Sequence, residues 1–328
     1  MKLLVTGGLG FIGSCFIKVV RSMHPDWRVV NLDLVTYAGN PDNLKDIADD
    51  PRYIFVRGDI SDDIDVETAF ETGIDAVVNF AAESHVDRSI AGSTLFVTTN
   101  VLGTAVLLGA AKRWGIDRFL QVSTDEVYGS LPPSGVFTEA TPLHPNNPYS
   151  ATKAAADHMA LAYHHTFGMD VVITRSSNNY GPHQYPEKFI PLFITNAMEG
   201  KACPLYGDGL NIRDWLHVTD NCRGILAALE KGKAGEVYNL GGGNERPNID
   251  VAKAILGLMG RPHSLIKFVE DRKGHDRRYA IDWSKAEKEL GWSPVVPFQH
   301  GIEETVAWYL SHTAWIAGIR ARTEKRFP

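Results

Sequence analysis

A short apolar run, Leu3-Leu4-Val5-Thr6, leads directly into Gly7-Gly8-Leu9-Gly10-Phe11-Ile12-Gly13, and this junction limits the possible folds more than any other stretch. The run reads as a buried strand, and residues 14–23 read as a helix. Two glycine spacings overlap here, Gly8-x-Gly10-x-x-Gly13 and Gly7-x-x-Gly10-x-x-Gly13. Glycines at such a turn allow a tight bend, close approach of backbone to a pyrophosphate, and close helix–strand packing. The helix N-terminus then presents free N–H groups to the phosphates. A glycine triad alone is weak evidence, and its surroundings strengthen it. Val29-Val30-Asn31-Leu32-Asp33 reads as the next strand, and Asp33 lies 20 residues beyond Gly13. An acid at that point accepts hydrogen bonds from the adenosine ribose hydroxyls. Leu34 follows it rather than an arginine. A carboxylate there repels a 2′-phosphate, so the expected cofactor is NAD rather than NADP.

The strand–helix alternation continues. Tyr53-Ile54-Phe55-Val56 is a third strand, and Asp59 beyond it suits either an adenine amino group or a cap. Asp75 to Phe80 is the fourth strand and runs into Ala81-Ala82-Glu83-Ser84-His85-Val86-Asp87-Arg88-Ser89. Two alanines after a strand let a cofactor lie against the backbone. Arg88 is a candidate ligand contact, whereas His85 reads better as a satisfied loop histidine. Residues 94–114 read as one long helix. It is apolar almost all round from Val101 to Ala111, so it is expected to be buried on more than one side.

Arg118 to Val122 is the fifth strand, and Ser123-Thr124-Asp125-Glu126-Val127-Tyr128-Gly129 follows it. Ligands of open α/β sheets bind at that end of the strands. Two adjacent acids there are costly without partners or a task. A strict strand points neighbouring side chains to opposite faces, so the strand must already have broken if the pair acts together. A proline-rich loop then leads to Asn147-Pro148-Tyr149-Ser150-Ala151-Thr152-Lys153, which opens a helix to about Phe167. Tyr149 and Lys153 are four apart and share a face. An ammonium there is expected to depress the tyrosine pKa and make the phenol a general base. Val171 to Arg175 is the sixth strand.

Composition narrows the function class. The chain has 328 residues, 44% hydrophobic and 22% charged, which suits one large or two unequal domains. A formal net charge of −6 argues against a nucleic-acid or anionic-membrane surface. Cys15, Cys203 and Cys222 have no metal-ligand or redox spacing, which fits a reducing cytoplasm. No metal site is expected. The start is broken by glycines too soon for a signal peptide, and no run is expected to be long enough to span a membrane.

Taken together, these residues resemble the extended short-chain dehydrogenase/reductase family, from Met1 to about Trp308. The fold this implies is α/β, a doubly wound parallel sheet of Rossmann type with a smaller mixed α/β carboxy-terminal part. Residues 1–175 would bind NAD and carry the catalytic groups. Residues 176–328 would mainly bind a nucleotide sugar, with segments near 210–245 returning to the sheet. Within the family, several stretches are similar to nucleotide-sugar 4,6-dehydratases, the dTDP-glucose branch in particular. They are residues 81–89, Thr124-Asp125-Glu126-Val127-Tyr128-Gly129, Ser177-Asn178-Asn179-Tyr180-Gly181-Pro182, Pro186-Glu187-Lys188, Tyr206-Gly207-Asp208-Gly209, Arg213-Asp214-Trp215 and Asp271-Arg272-Lys273-Gly274-His275-Asp276. Related epimerases keep the tyrosine–lysine pattern but carry small neutral residues where Asp125 and Glu126 stand.

The resemblance implies Tyr149 as base for a sugar C4 hydroxyl and Lys153 as its companion. Thr124 would bond the C4 oxygen, Glu126 would take the C5 proton, and Asp125 would protonate the leaving C6 hydroxyl. It implies NAD contacts at Gly7, Gly10, Phe11, Ile12 and Gly13, and at Asp33, Leu34, Thr36, Asp59 and Ile60. Further contacts are implied at Phe80, Ala81, Ala82, Ser84 and Thr99, and at Tyr149, Lys153 and Asn179. Substrate contacts are implied at Ser84, Arg88, Thr124, Asn178, Glu187 and Lys188. Leu192, Pro204, Tyr206, Arg213, Asn248, Arg272 and His275 complete them. Arg213 and Arg272 are candidate diphosphate clamps, because guanidinium binds phosphate in fork geometry. Asn248 alone also suits an N-cap of a helix from about Val251. His217, Trp283, Trp292 and Trp308 read as packing, and the charged tail at 320–326 is expected to fray. The family implies a homodimer, with the helices from Thr94 and from Ser150 pairing with their copies. Other readings are a 4,6-dehydratase of UDP-glucose, a UDP-sugar epimerase or decarboxylase, and an NAD-binding regulator. A decarboxylase substrate carries its own carboxylate, which the acid pair would repel. A regulator would be free to lose Tyr149, Lys153 or the acids, and all are present.

Overall fold

The computed structural model describes residues 1–326, with side chains through 322. The amino-terminal half supplies β1 (Lys2–Thr6), β2 (Arg28–Asp33), β3 (Tyr53–Arg57), β4 (Ala76–Asn79), β5 (Arg118–Thr124) and β6 (Val171–Ser176). Then come β7 (Asn178–Tyr180), β8 (Cys203–Tyr206), β9 (Ile212–His217), β10 (Val237–Leu240), β11 (Glu245–Pro247) and β12 (Ile266–Val269). The main sheet has the order β10-β6-β5-β4-β1-β2-β3, and all its neighbours are parallel. Its central strands are almost wholly buried and mainly apolar because helices cover both faces. Leu3 and Val5 pack with Phe16, Ile17 and Val20 on one side. Leu4 and Val77 pack with Leu107 and Leu108 on the other. The chain reverses direction across the sheet between β1 and β4, where ligand crevices open outside the carboxyl ends of the strands.

The seventh strand, β10, comes from the carboxy-terminal half and pairs with β6. The helix Val218–Lys231 before it packs against Phe11–Met23. The remaining strands form two small sheets, β11-β9-β7 and β12-β8. Helices Phe189–Met198, Asn248–Leu258, Phe298–Ser311 and Thr313–Arg326 gather over them around a second apolar core.

Four expectations are corrected. The helix over 94–114 is interrupted: Thr94–Phe96 and Gly103–Trp114 are α-helical, but Val97–Leu102 is a π turn. Such turns often accompany functional sites. This one carries Asn100, which is 2% exposed. Its side chain accepts from Glu83 N at 2.9 Å and donates to Glu83 O at 3.1 Å and Thr152 Oγ1 at 2.9 Å. Thr94–Trp114, 21 residues, is also long and apolar enough to cross a membrane by length and composition. In the fold it packs on Asp63–Phe70 and Pro148–Phe167, while Leu95, Val97 and Leu102 stay exposed. The tail at 320–326 lies in the helix Thr313–Arg326 rather than fraying from it. Arg320 pairs with Glu199, and Arg322 reaches Asp42 at 3.7 Å. Finally, Asn248 is the first residue of its helix, and Pro247 occupies the N-cap position.

Beneath the carboxyl ends of β5 and β6 lies a buried ion pair. Arg175 Nε donates to Asp157 Oδ2 at 2.9 Å. The side chains are 4% and 0% exposed. Arg175 Nη1 also donates to Tyr128 Oη at 3.0 Å, and that hydroxyl donates to Asn239 Oδ1 at 2.8 Å. Removing one partner of such a pair leaves a buried, uncompensated charge. Asp157→Ala is therefore expected to lower unfolding free energy by about 3–5 kcal/mol, measured from denaturant midpoints. A loss below about 1 kcal/mol, the size of an exposed pair, would contradict this.

Candidate active site

Strand β5 ends at Thr124, and Asp125–Tyr128 turn away as a single 3-10 turn. Thr124 Oγ1 caps that turn by accepting from Glu126 N at 3.3 Å. The break required for two adjacent acids to act together is therefore present. Asp125 is 1% exposed and Glu126 is half-buried. Asp125 Oδ1 accepts from Thr124 Oγ1 at 3.3 Å. Asp125 Oδ2 and Glu126 Oε2 are buried with no hydrogen-bond partner. Burial holds the Asp125 carboxyl well above the usual range. The charges of Glu126 and Asp214 push it further up, and Arg213 opposes them. Burial and the neighbouring charges thus favour the protonated, donating form of Asp125 beside Glu126.

Tyr149 and Lys153 enter from the helix Pro148–Phe167, whose start is fixed by a capping box between Asn147 and Ser150. The expected depression of the Tyr149 pKa is not found. Burial raises it first, and the charges of Glu126 and Asp125 raise it further; a hydrogen bond with Thr124 works the other way. Lys153 is itself buried, which pulls its ammonium down to about 8 against the opposing charge of Asp157. Its Nζ donates to Val122 O at 2.7 Å, which fixes it under the strand end.

These groups open into one cleft of about 840 Å³ at the reversal point of the sheet. Gly7, Gly10, Phe11, Ile12 and Gly13 form its floor. Gly7 has φ +65°, and a Cβ there would stand 2.8 Å from Ala81 Cα. A Cβ at Gly13 would stand 2.4 Å from Gly7 O. The helix Phe11–Met23 has no side-chain cap, so its first N–H groups are left for a ligand. Asp33 accepts from Leu9 N at 2.8 Å and from Val35 N at 2.7 Å. A carboxylate has further lone pairs for hydroxyls. Leu34, Thr36, Asp59 and Ile60 line the same end. Asp59 also accepts from Ser61 N and Ser61 Oγ, both at 2.8 Å, so it serves its own turn as well. Phe80, Ala81, Ala82, Ser84, Thr99 and Asn179 line the middle. This shape and donor set fit a dinucleotide. Among the described residues, no group of three or more His, Cys, Asp or Glu could hold a metal ion.

Beyond Tyr149 the cleft continues along Thr124, Arg88, Asn178, Glu187 and Lys188. Arg88 bonds Glu187 at 2.8 Å and lies over the Tyr37 ring at 3.7 Å. Lys188 Nζ donates to Ser84 O at 2.7 Å. Asn178 Oδ1 and Asn179 Oδ1 are buried without a partner. His85 caps the helix Val86–Ala91 by accepting from Arg88 N at 3.4 Å, in line with a satisfied loop histidine.

Leu192, Pro204, Tyr206, Arg213, Asn248, Arg272 and His275 do not line this cleft. Several of them form a neighbouring group. Arg272 Nη1 lies 3.9 Å from Asp87, which also accepts from Tyr206 Oη at 3.2 Å. His275 bonds Asp271 at 2.5 Å. Arg213 is 5% exposed. It donates to the carbonyls of Ile212 at 2.8 Å and Asp276 at 2.9 Å, and it lies over Tyr279 at 4.4 Å. Among the described residues no carboxylate forms an ion pair with it. Burial lowers its pKa, and the charge of Arg272 is a further lowering influence. A buried cation without an anion is costly, and a diphosphate would satisfy it. Arg272 Nε and Asn248 Oδ1 are also buried without partners. Leu192 lies one turn along the helix from Lys188, and Pro204 is half-buried in β8. Sequence reasoning missed Tyr37, His183, Gln184 and Tyr185 as cleft residues. For the last three, the turn-rich stretch after Gly181-Pro182 was the available signal.

A glycine-loop cleft at the switch point, with a tyrosine and a lysine on one helix beside it, defines an extended short-chain dehydrogenase/reductase. The family described as GDP-mannose 4,6 dehydratase matches residues 4–305. A dTDP-glucose 4,6-dehydratase of Actinoplanes sp. is 54% identical over 320 residues, covering 96% of this chain and 99% of the relative. One from Escherichia coli K12 is 47% identical, covering 98% and 96%. The structure of a dTDP-glucose 4,6-dehydratase from Streptomyces venezuelae, solved with NAD and a second ligand, superposes with a TM-score of 0.95 at 51% identity, covering 97% of this chain and all of that one. A UDP-glucose 4-epimerase of Thermotoga maritima has a TM-score of 0.88 at 28% identity, covering 95% and 100%. The chain belongs to the nucleotide-sugar 4,6-dehydratase family.

The raised Asp125 pKa sets the sign of a pH effect. The folded protein holds the proton to higher pH than the unfolded chain does. Asp125 therefore costs stability increasingly as pH rises from about 3.9, its unfolded value, to its folded value. Above that the cost levels off. Asp125→Asn is expected to melt higher than the parent at neutral and alkaline pH, with the difference shrinking toward acid. A difference that does not grow with pH would show that Asp125 is not held protonated.

Proposed function

We propose that this protein converts dTDP-D-glucose to dTDP-4-dehydro-6-deoxy-D-glucose and water, with tightly bound NAD. The single observation that carries the reading is the acid pair at the end of β5, Asp125 buried with its pKa raised and Glu126 half-buried, beside Thr124 and Tyr149. NAD, when bound, supplies the acceptor for hydride from C4, the donor that returns it to C6, and a positive charge on its oxidised ring. Tyr149 takes the C4 hydroxyl proton. Its phenol, held up by burial and two carboxyls, requires a positive charge nearby to act so. Thr124 bonds the C4 oxygen. Once C4 is a ketone, the C5 proton is acidic, and Glu126 removes it. Asp125 donates its proton to the C6 hydroxyl, which leaves as water. Glu126, protonated by its removal of the C5 proton, returns a proton to C5 at the end. There is no net redox change, so the cofactor need not leave. Arg213 and Arg272 receive the diphosphate. The relatives of about 50% identity named above are dTDP-glucose 4,6-dehydratases, whereas the UDP-glucose epimerase is only 28% identical, which favours thymidine over uridine.

The assembly and compartment belong to the same reading. The exposed Leu95, Val97 and Leu102 on the Thr94–Trp114 segment, next to the Pro148–Phe167 helix, support a homodimer through these helices. Three free cysteines support a reducing cytoplasm.

Purified protein given dTDP-glucose deuterated at C4, without added NAD, is expected to yield a 4-keto-6-deoxy sugar carrying that deuterium at C6, read by NMR. Turnover with only another nucleotide sugar would overturn the substrate, and deuterium lost to solvent would overturn the internal transfer. Sedimentation is expected to show a dimer that Leu102→Glu weakens; a wild-type monomer would contradict the interface.

A further inference from the structure

One buried amide joins the glycine loop to the carboxy-terminal helices. Leu9, inside the loop, has its carbonyl held by Asn40 N at 2.9 Å and Asn43 Nδ2 at 3.0 Å. Its N–H donates to Asp33 at 2.8 Å. Asn43 is 1% exposed. Its Oδ1 accepts from Trp315 Nε1 at 2.9 Å and lies 3.2 Å from His183 Nδ1. An indole N–H only donates. That fixes which amide atom is oxygen, and His183 Nδ1 therefore carries the proton. His183 lines the dinucleotide cleft. It has φ +67°, a conformation that a side-chain-bearing residue keeps only when its surroundings impose it. The surroundings here are the rings of Trp308 and Trp315, with centroids 4.5 and 5.6 Å away. The next residue, Gln184, has its carbonyl bonded by Tyr309 Oη.

Asn43 and Trp315 do not line the cleft themselves. Yet, through a bond between residues 272 apart in the chain, they couple the glycine loop at Leu9 to the cleft wall at His183. We propose that Asn43 and Trp315 are positioning residues for the cofactor: they hold the glycine loop and the 183–184 segment in the spacing a dinucleotide requires, and so set how long it stays bound. The carboxy-terminal helix thereby becomes part of the cofactor site. This rests on the NAD reading above.

The test measures NAD itself. Bound NAD per protomer is quantified after extraction from wild type, Trp315→Phe and Asn43→Ala, and its dissociation rate is followed by exchange against labelled NAD. Trp315→Phe keeps the ring and loses only the N–H, so the test does not depend on Asn43→Ala folding. NAD is expected to leave Trp315→Phe about fivefold to tenfold faster, as loss of one buried hydrogen bond implies, and Asn43→Ala faster still. Added NAD is expected to restore turnover of Trp315→Phe. Variants that melt lower but release NAD at the wild-type rate would overturn the proposal and leave these residues a structural role. A wild-type protein that binds no NAD would overturn the NAD reading, and this proposal with it.

Discussion

The pair Asp157–Arg175 is what the active site stands on. Asp157 comes from the helix that carries Tyr149 and Lys153, and Arg175 comes from β6. Through Tyr128 the same guanidinium reaches the turn that carries Asp125 and Glu126. Tyr128 Oη goes on to Asn239 in β10, the strand contributed by the second half of the chain. The helix, β6, the turn and the late strand therefore share one buried charge cluster. Low dielectric makes such a cluster stiff when satisfied and costly when not. The same burial raises the Asp125 pKa, against the opposing charge of Arg213.

The sheet was legible in the sequence because period and punctuation agree there. Leu3 to Thr6, Val29 to Asp33 and Val171 to Arg175 are apolar runs ended by glycine, acid or turn residues, and all fall inside observed strands. The glycine loop and Asp33 were legible for the same reason: their chemistry is local. The π turn at Val97–Leu102 was not, because Asn100 is polar for the sake of Glu83 and Thr152, one 17 and the other 52 residues away. Tyr149 shows a similar limit. Spacing puts Lys153 on its face, but the pKa is decided by burial and by carboxyls from another strand end. Arg213 and Arg272 could be named as clamps only by resemblance. What distinguishes Arg213 from a surface arginine is burial with carbonyl partners alone, a tertiary fact.

Fold alone does not decide the chemistry. A UDP-glucose 4-epimerase shares it with a TM-score of 0.88. The cleft, the glycine loop and the tyrosine–lysine helix suit oxidation and return equally well. Dehydration adds two demands: a base for C5 and an acid for the C6 oxygen. Two adjacent carboxyls, one fully buried and one half-buried, suit both demands. Asp125 is fully buried and beside a second carboxylate, which raises its pKa well above the usual range and favours the protonated form. Glu126, next along the 3-10 turn, is only half-buried.

The division of labour within that pair is the central claim, and exchange of the C5 hydrogen tests it most directly. Wild type, Asp125→Asn and Glu126→Gln are given substrate in D2O, and deuterium at C5 of recovered sugar is followed by NMR together with water loss at C6. The expected result is that Asp125→Asn still exchanges C5 while dehydration falls by at least about a hundredfold, the typical worth of a general acid. Glu126→Gln is expected to lose both. A Glu126→Gln protein that exchanges C5 at the wild-type rate would contradict the account.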